Sequence, residues 1–282
     1  MNRQEKPPQS GLVIAALCLV AALVAPCARA ELRVLVWASD YRGAGNRDLE
    51  LPNTLVDAHG VTDMFHKLGV KDLRLIENPL AENWESETAG LAQRLGPDDV
   101  AVLYYAGHAV QVQGENFFLA SDGTTLISSE QVLAPVMAKA RGTVFLIDAC
   151  RDNPFRNQAA QKKELKISAG TAKSRAMETL SLSQLARNAG GLSQMSNIRG
   201  KNTIVVFSTD PGNVALDGDA GKGSPFANAM IREFAKRQSL DSAIRQISAA
   251  VDKSTNSRQS PWRQGDLNFP LFLAGQPRFP VP

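Results

Sequence analysis

The chain has 282 residues, enough for one large α/β domain or two small ones once a leader is removed. Hydrophobic residues make up 44% and charged residues 21%, the balance of an ordinary globular protein. The formal net charge of +3 falls to +1 without residues 1–30, where Arg3, Lys6 and Arg29 outweigh Glu5 by two, and such a chain carries no electrostatic footprint for nucleic acid.

The first thirty residues read as a targeting segment. Arg3 and Lys6 give a positive start. Gly11 to Ala25 is apolar but too short, and too closely followed by a break, to read as a membrane span. Pro26-Cys27-Ala28-Arg29-Ala30 ends in Ala-x-Ala, a signal-peptidase pattern, so Glu31 is the expected mature N-terminus. The destination is then the periplasm or the extracellular space, with retention as an anchor the main alternative. Lipidation of Cys27 is disfavoured because Pro26 sits where a small residue is wanted. No later run is long enough to span a bilayer, so no membrane contact is expected beyond this segment.

Leu32 to Ala38 reads as a first strand, followed by a polar, glycine-containing loop from Ser39 to Asn53. Apolar residues at helical spacing predict a helix over Thr54 to Leu68, stopped by Gly69. A short strand over Leu73 to Glu77 and a helix over Asn83 to Leu95 come next, and Val100 to Tyr105 is a buried strand. This alternation argues for a parallel sheet with crossover helices. The segment around Gln113-Gly114-Glu115-Asn116 reads as a hairpin, and Ser129 to Ala140 as a helix. Val144 to Ala149 is an apolar run expected to be a strand buried on both faces. Residues 156 to 200 lack a strong apolar run and are expected to form a long loop with one helical piece near Met177 to Ala189. A strand over Thr203 to Ser208, helices over Ser224 to Lys236 and Leu240 to Asp252, and a final strand over Asn268 to Leu273 complete the chain. The tail from Gln276 to Pro282 is expected to be extended.

Cys150 is the only cysteine outside the leader, since Cys18 and Cys27 lie within it. It has no intramolecular disulfide partner, and no zinc site is suggested. A free thiol in an exported protein is a liability unless it has a task. A small buried apolar residue is the alternative, and composition alone leaves both readings open. The histidines are His59, His66 and His108. His59 and His66 read as surface or helix-flank residues, whereas His108 ends an apolar strand. Two buried parallel strands thus present His108 and Cys150 at one sheet edge, and in open α/β sheets that edge binds ligands. If the strands are neighbours, the imidazole can lower the thiol's pKa or take its proton. The backbone N–H of Cys150 and one from the loop after His108 are the candidate oxyanion donors.

Tyr104-Tyr105-Ala106-Gly107-His108 with its Gly-Glu-Asn hairpin, and Leu146-Ile147-Asp148-Ala149-Cys150-Arg151-Asp152-Asn153-Pro154-Phe155, resemble bacterial caspase-like peptidases, which belong with metacaspases and paracaspases. Leu51-Pro52-Asn53 leading to Val56-Asp57-Ala58, the segment Ser208 to Gly218, and Gly223-Ser224-Pro225-Phe226 match the same pattern. The resemblance spans roughly residues 32 to 273. It implies a caspase-like α/β fold, with a mostly parallel six-stranded sheet between helices. The implied organisation is a peptidase domain over 31–275, made of a large-subunit-like part 31–155, a linker 156–200 and a small-subunit-like part 201–275.

The resemblance also implies a cysteine endopeptidase with His108 as base and Cys150 as nucleophile. Asp148 matches one carboxylate of an acidic S1 pocket and Asp57 the other, which implies protein or peptide substrates cleaved after Arg or Lys. For Asp57, a solvated acid at a helix start is the alternative; for Asp148, a strand-end cap. Asp217 and Asp219 read as turn residues rather than calcium ligands, and no cofactor or metal is expected. The basic stretch from Gln158 to Ser174 suits autoprocessing. The family usually has Gly after the dyad histidine, where this chain has Ala109, and the resemblance implies that this residue's backbone N–H helps form the oxyanion hole. If that position needs φ > 0, alanine costs about 1 kcal/mol or more and weakens the site, unless the loop takes an ordinary conformation. This departure and the long loop motivate the alternative reading, a caspase-fold interaction module without useful turnover. A thiol redox protein is a poor third, for want of a resolving cysteine.

Overall fold

Strand β1 (Leu32–Ala38) is apolar at nearly every position because helices cover both of its faces. The computed structural model describes residues 30–149, 154–156, 163–169, 179–195, 198 and 202–275. Cys150 lies outside these residues, as do most of the expected leader, the C-terminal residues 276–282, and much of the stretch expected to be autoprocessed.

The main sheet has six strands in the order β11-β10-β7-β3-β1-β2. They are β1, β2 (Asp72–Glu77), β3 (Val100–Ala106), β7 (Gly142–Asp148), β10 (Thr203–Phe207) and β11 (Trp262–Gly265). All run parallel except β11, which is antiparallel to β10. Alternate residues of each strand enter opposite cores. Val34, Val36, Val102, Tyr104, Val144 and Leu146 pack with helix α1 (Thr54–Lys67), α5 (Pro225–Phe234) and α6 (Leu240–Ser254). Leu35, Trp37, Leu103, Tyr105, Phe145 and Ile147 pack with α2 (Ala81–Arg94) and α3 (Ser129–Met137). On that side Trp84 stacks between Trp37 and Phe118, at 4.8 and 5.3 Å between ring centroids.

A second sheet has the order β4-β5-β6-β8-β9. Its hairpin, β4 (Ala109–Val112) and β5 (Glu115–Leu119), turns through Gln113 and Gly114, both with positive φ, as a tight two-residue hairpin turn demands. Strands β6 (Thr125–Ser128), β8 (Glu164–Ala169) and β9 (Thr179–Ser181) complete it, and helix α4 (Leu182–Asn188) follows. Here the sequence expectation of a long loop fails. Leu165 points into a third core while Glu164 faces solvent, a one-sided strand whose exposed charges mask its period. The helical piece is shorter than expected and starts at a capping box built by Ser181 and Gln184.

The expected final strand is also misplaced. Phe269, Leu271 and Leu273 alternate and are buried against α5 and α6, but this segment forms only an isolated bridge from Phe272 to Ser239. The edge strand is instead β11, whose Trp-Arg-Gln-Gly sequence has no apolar period. Backbone pairing to β10 makes it a strand.

Candidate active site

Strands β3 and β7 are neighbours, as the dyad reading requires, and their register pairs Ala106 with Asp148. The Gly107 N–H donates to the Asp148 carbonyl at 3.2 Å, prolonging the pairing. His108 thus stands two residues past Ala106, and Cys150 is two residues past Asp148 in the chain, itself outside the described residues.

His108 is 7% exposed. Its Nε2 lies 3.0 Å from the Leu49 carbonyl, which can only accept, so Nε2 carries the ring proton of the neutral imidazole. Nδ1 is buried without a hydrogen-bond partner among the described residues. Burial pushes the imidazole's pKa down to about 4, against the opposing effect of the Leu49 bond, so the ring is neutral near pH 7. A neutral ring with an unpaired Nδ1 is a proton acceptor. His59 instead pairs with Glu77 on the surface.

Ala109 begins β4 and pairs with Phe118, and it is not among the residues with positive φ. The site therefore uses an ordinary conformation there, and alanine carries no left-handed strain. The Leu119 N–H bonds the His108 carbonyl, so by the alternation of an antiparallel ladder the Ala109 N–H turns away from β5. It lies on the edge where Gln111 bonds Gly190. Ala109→Gly is expected to lower stability by about 0.5–1 kcal/mol in chemical denaturation, since it relaxes no strain and adds chain entropy.

A narrow cleft, about 30 Å³ inside and about 310 Å³ with its open mouth included, lies at the C-terminal ends of β3 and β7. Asp57, Asp148 and Asp217 line it together with Leu51, Thr54, Gly107, Leu216 and Ser224, and among the described residues no cationic side chain lines it. Asp57 is not a solvated helix-start acid: it is 3% exposed and accepts the Ser224 N–H at 2.8 Å. Asp148 accepts the Ser224 hydroxyl at 2.5 Å and the Tyr104 hydroxyl at 3.4 Å. Burial pushes both carboxyl pKa values up, and the Asp148 charge pushes Asp57 further the same way. Gly223 has φ +74, and a Cβ there would stand 2.5 Å from Asp57 Oδ1, so this close approach needs glycine.

Asp217 is the residue that sequence reasoning undervalued. It is half-buried, its pKa is raised by burial, and it faces the cleft rather than decorating a turn. Asp219 is exposed and pairs with Lys222 at 3.1 Å. Asn53 explains the Leu-Pro-Asn motif. Its amide donates to the carbonyls of Asp217 and Asp219 at 2.7 and 2.9 Å and accepts the Gly221 N–H, tying this loop to the start of α1. Gln259 fastens the same loop farther up, accepting the Leu216 N–H and donating to the Ser208 carbonyl. Among the described residues, no group of three His, Cys, Asp or Glu side chains is arranged to hold a metal ion.

A family model described as the caspase domain matches residues 34–272. The chain belongs to the caspase-domain family. Membership gives it a cysteine-peptidase type of function, acting on protein substrates. Among solved structures it is similar to caspase-1 from Spodoptera frugiperda, with 14% identity and a TM-score of 0.59 over 88% of this chain and 92% of that one. That likeness carries the caspase-like fold. No curated protein matches the chain.

Proposed function

We propose that this caspase-domain protein is a cysteine endopeptidase that cleaves after Arg or Lys. His108 Nδ1 takes the Cys150 thiol proton, and the thiolate attacks the scissile carbonyl carbon. The oxyanion that forms is held by the backbone N–H groups of Ala109 and Cys150. The imidazolium returns its proton to the leaving amine, which departs and leaves a thioester. Water then adds to the thioester, again losing its proton to His108, and the acid product leaves as the thiol is restored.

The observation that supports the basic specificity is the cleft lined by Asp57, Asp148 and Asp217, with no cationic side chain among its described residues. A guanidinium there meets carboxylates able to pair with its planar fork. The test is turnover of fluorogenic peptides differing only at P1. Arg or Lys is expected to be cleaved and Asp or Ala not; equal rates for the parent and Cys150→Ala would refute the reading. The rival interaction-module reading drew on Ala109 and on the long loop, and the ordinary φ at Ala109 removes the first of these motives.

We also propose export with cleavage after Ala30. The Glu31 nitrogen lies 2.8 Å from Asp99 Oδ1, and Asp99 also pairs with Arg33 at 2.8 Å. A free ammonium at residue 31 therefore gains an ion pair in a built site. N-terminal sequencing of the exported protein is expected to begin at Glu31; any other start counts against the proposal.

A further inference from the structure

The dyad reading needs an imidazole held with one nitrogen ready to accept a proton, yet His108 sits just past the end of β3, following a glycine. Only one of its ring nitrogens is bonded among the described residues, through Nε2 to the Leu49 carbonyl. That single bond leaves the ring free to turn about it unless something packs its face.

Tyr41 supplies that face. Its ring lies 4.9 Å from the imidazole, centroid to centroid, with the planes at 37°. Its hydroxyl accepts the His108 N–H at 3.0 Å and donates to the Leu119 carbonyl at 2.9 Å. The Tyr105 hydroxyl, 3.1 Å away, donates to the His108 carbonyl at 2.6 Å. Both backbone polar groups of His108 are therefore tied to tyrosine hydroxyls. A Cβ at Gly107 would stand 2.4 Å from the Tyr105 oxygen and 2.9 Å from that of Tyr41, so glycine is what lets these hydroxyls reach the backbone.

Tyr41 is 1% exposed and has φ +59, a conformation that a bulky residue adopts only where its surroundings over-determine it. The surroundings here are the loop 39–53, closed by the Leu51 N–H on the Asp40 carbonyl. This one loop presents Tyr41 to the ring face and backbone N–H, and Leu49 to Nε2. The titratable groups facing His108 among the described residues are the two tyrosines. Burial pushes Tyr41 up to about 12 and Tyr105 well above the usual phenol range, so both keep the protons they donate.

We infer that Tyr41 is a positioning residue for His108, fixing its backbone and ring so that Nε2 bonds Leu49 and Nδ1 is left to accept the thiol proton. The part concerning rate rests on the dyad reading; the part concerning the imidazole does not. Tyr41→Phe keeps the ring and removes the hydroxyl.

Two measurements test this. The first is nitrogen NMR of the imidazoles, with His108 assigned by its own deletion. The parent is expected to show one neutral tautomer, Nε2–H, and Tyr41→Phe a mixture of tautomers. Tyr105→Phe, which spares the Tyr41 bond, is expected to keep the parental pattern. A mixed tautomer in the parent, an unchanged Tyr41→Phe spectrum, or equal change in Tyr105→Phe would overturn the assignment, whether or not the protein turns over any peptide. The second is kcat per site titrated with an Arg-bearing thiol electrophile. Tyr41→Phe is expected to lose about ten-fold in kcat with KM unchanged. A loss confined to the number of titratable sites would mean that Tyr41 serves only folding.

Discussion

Cys150→Ala is expected to bring hydrolysis of an Arg-P1 peptide down to background, and His108→Ala to lower kcat by about 10³-fold. The two losses differ in kind. Without the sulfur no acyl-enzyme forms. Without His108 the sulfur remains but is mostly protonated near pH 7, because an unassisted thiol has a pKa of about 8.5. The His108→Ala protein should therefore regain rate about ten-fold per pH unit up to about pH 8.5, while the parent should not. Steady-state kinetics between pH 6 and pH 9 read both effects. A His108→Ala protein as fast as the parent at pH 7, or one whose residual rate ignores pH, would remove His108 from the chemistry. The ring suits this role because it is buried and neutral and its Nε2 is committed to Leu49.

Asp148→Asn is expected to act in opposite directions on substrate and on stability. On an Arg-P1 peptide kcat/KM should fall by about 10²–10³-fold, the effect of breaking one partner of a desolvated charge pair. A neutral P1 should lose far less. On the empty protein, the same change should raise the melting temperature at pH 8. Burial raises the pKa values of Asp148 and Asp57 in the folded state, and the Asp148 charge raises Asp57 further as the Asp217 charge does Asp148. Between the unfolded value of 3.8 and the raised folded values, the folded chain holds the more protons. Stability is therefore full below the unfolded pKa and declines as pH rises through the folded ones.

His108 works the other way. Its folded pKa of about 4 is below the unfolded 6.5, so its contribution is lost as pH falls through that window. The comparison must then be the difference between parent and Asp148→Asn melting curves. That difference should widen, by roughly 1–3 kcal/mol in all, from pH 5 to pH 8. An Arg-bearing inhibitor neutralises the pair, so its binding should release protons and tighten as pH rises. A parent whose stability rises from pH 6 to pH 8 relative to Asp148→Asn would contradict a destabilised carboxylate pair.

The sequence was enough to find the strands of the main sheet up to β10. Their runs are apolar because both faces are covered, and that is a local property of composition. It also read His108 at the end of an apolar strand, just past β3, and the resemblance singled out Asp57 and Asp148, which line one cleft. Residues on short or one-sided elements were harder to read. β8 hides one apolar face behind charges, and β11 has no apolar period at all, since its partner's backbone makes it a strand. Conversely, Asn268 to Leu273 alternates like a strand because it is buried on one side, without a ladder.

The surroundings of the candidate dyad are likewise a product of long-range folding. Asp217 is more than 150 residues from Asp57 and became a third wall of the cleft only because Asn53 holds its loop at 2.7 Å. Whether Ala109 is strained depended on its pairing with Phe118. Tyr41 and Leu49 read as part of a polar loop, and only tertiary packing set them around His108. Residue type and period follow from which faces a segment must bury, and a sequence displays those directly. The chemistry of a site depends on which atoms from distant segments are brought within hydrogen-bond reach, and the tertiary structure alone decides that.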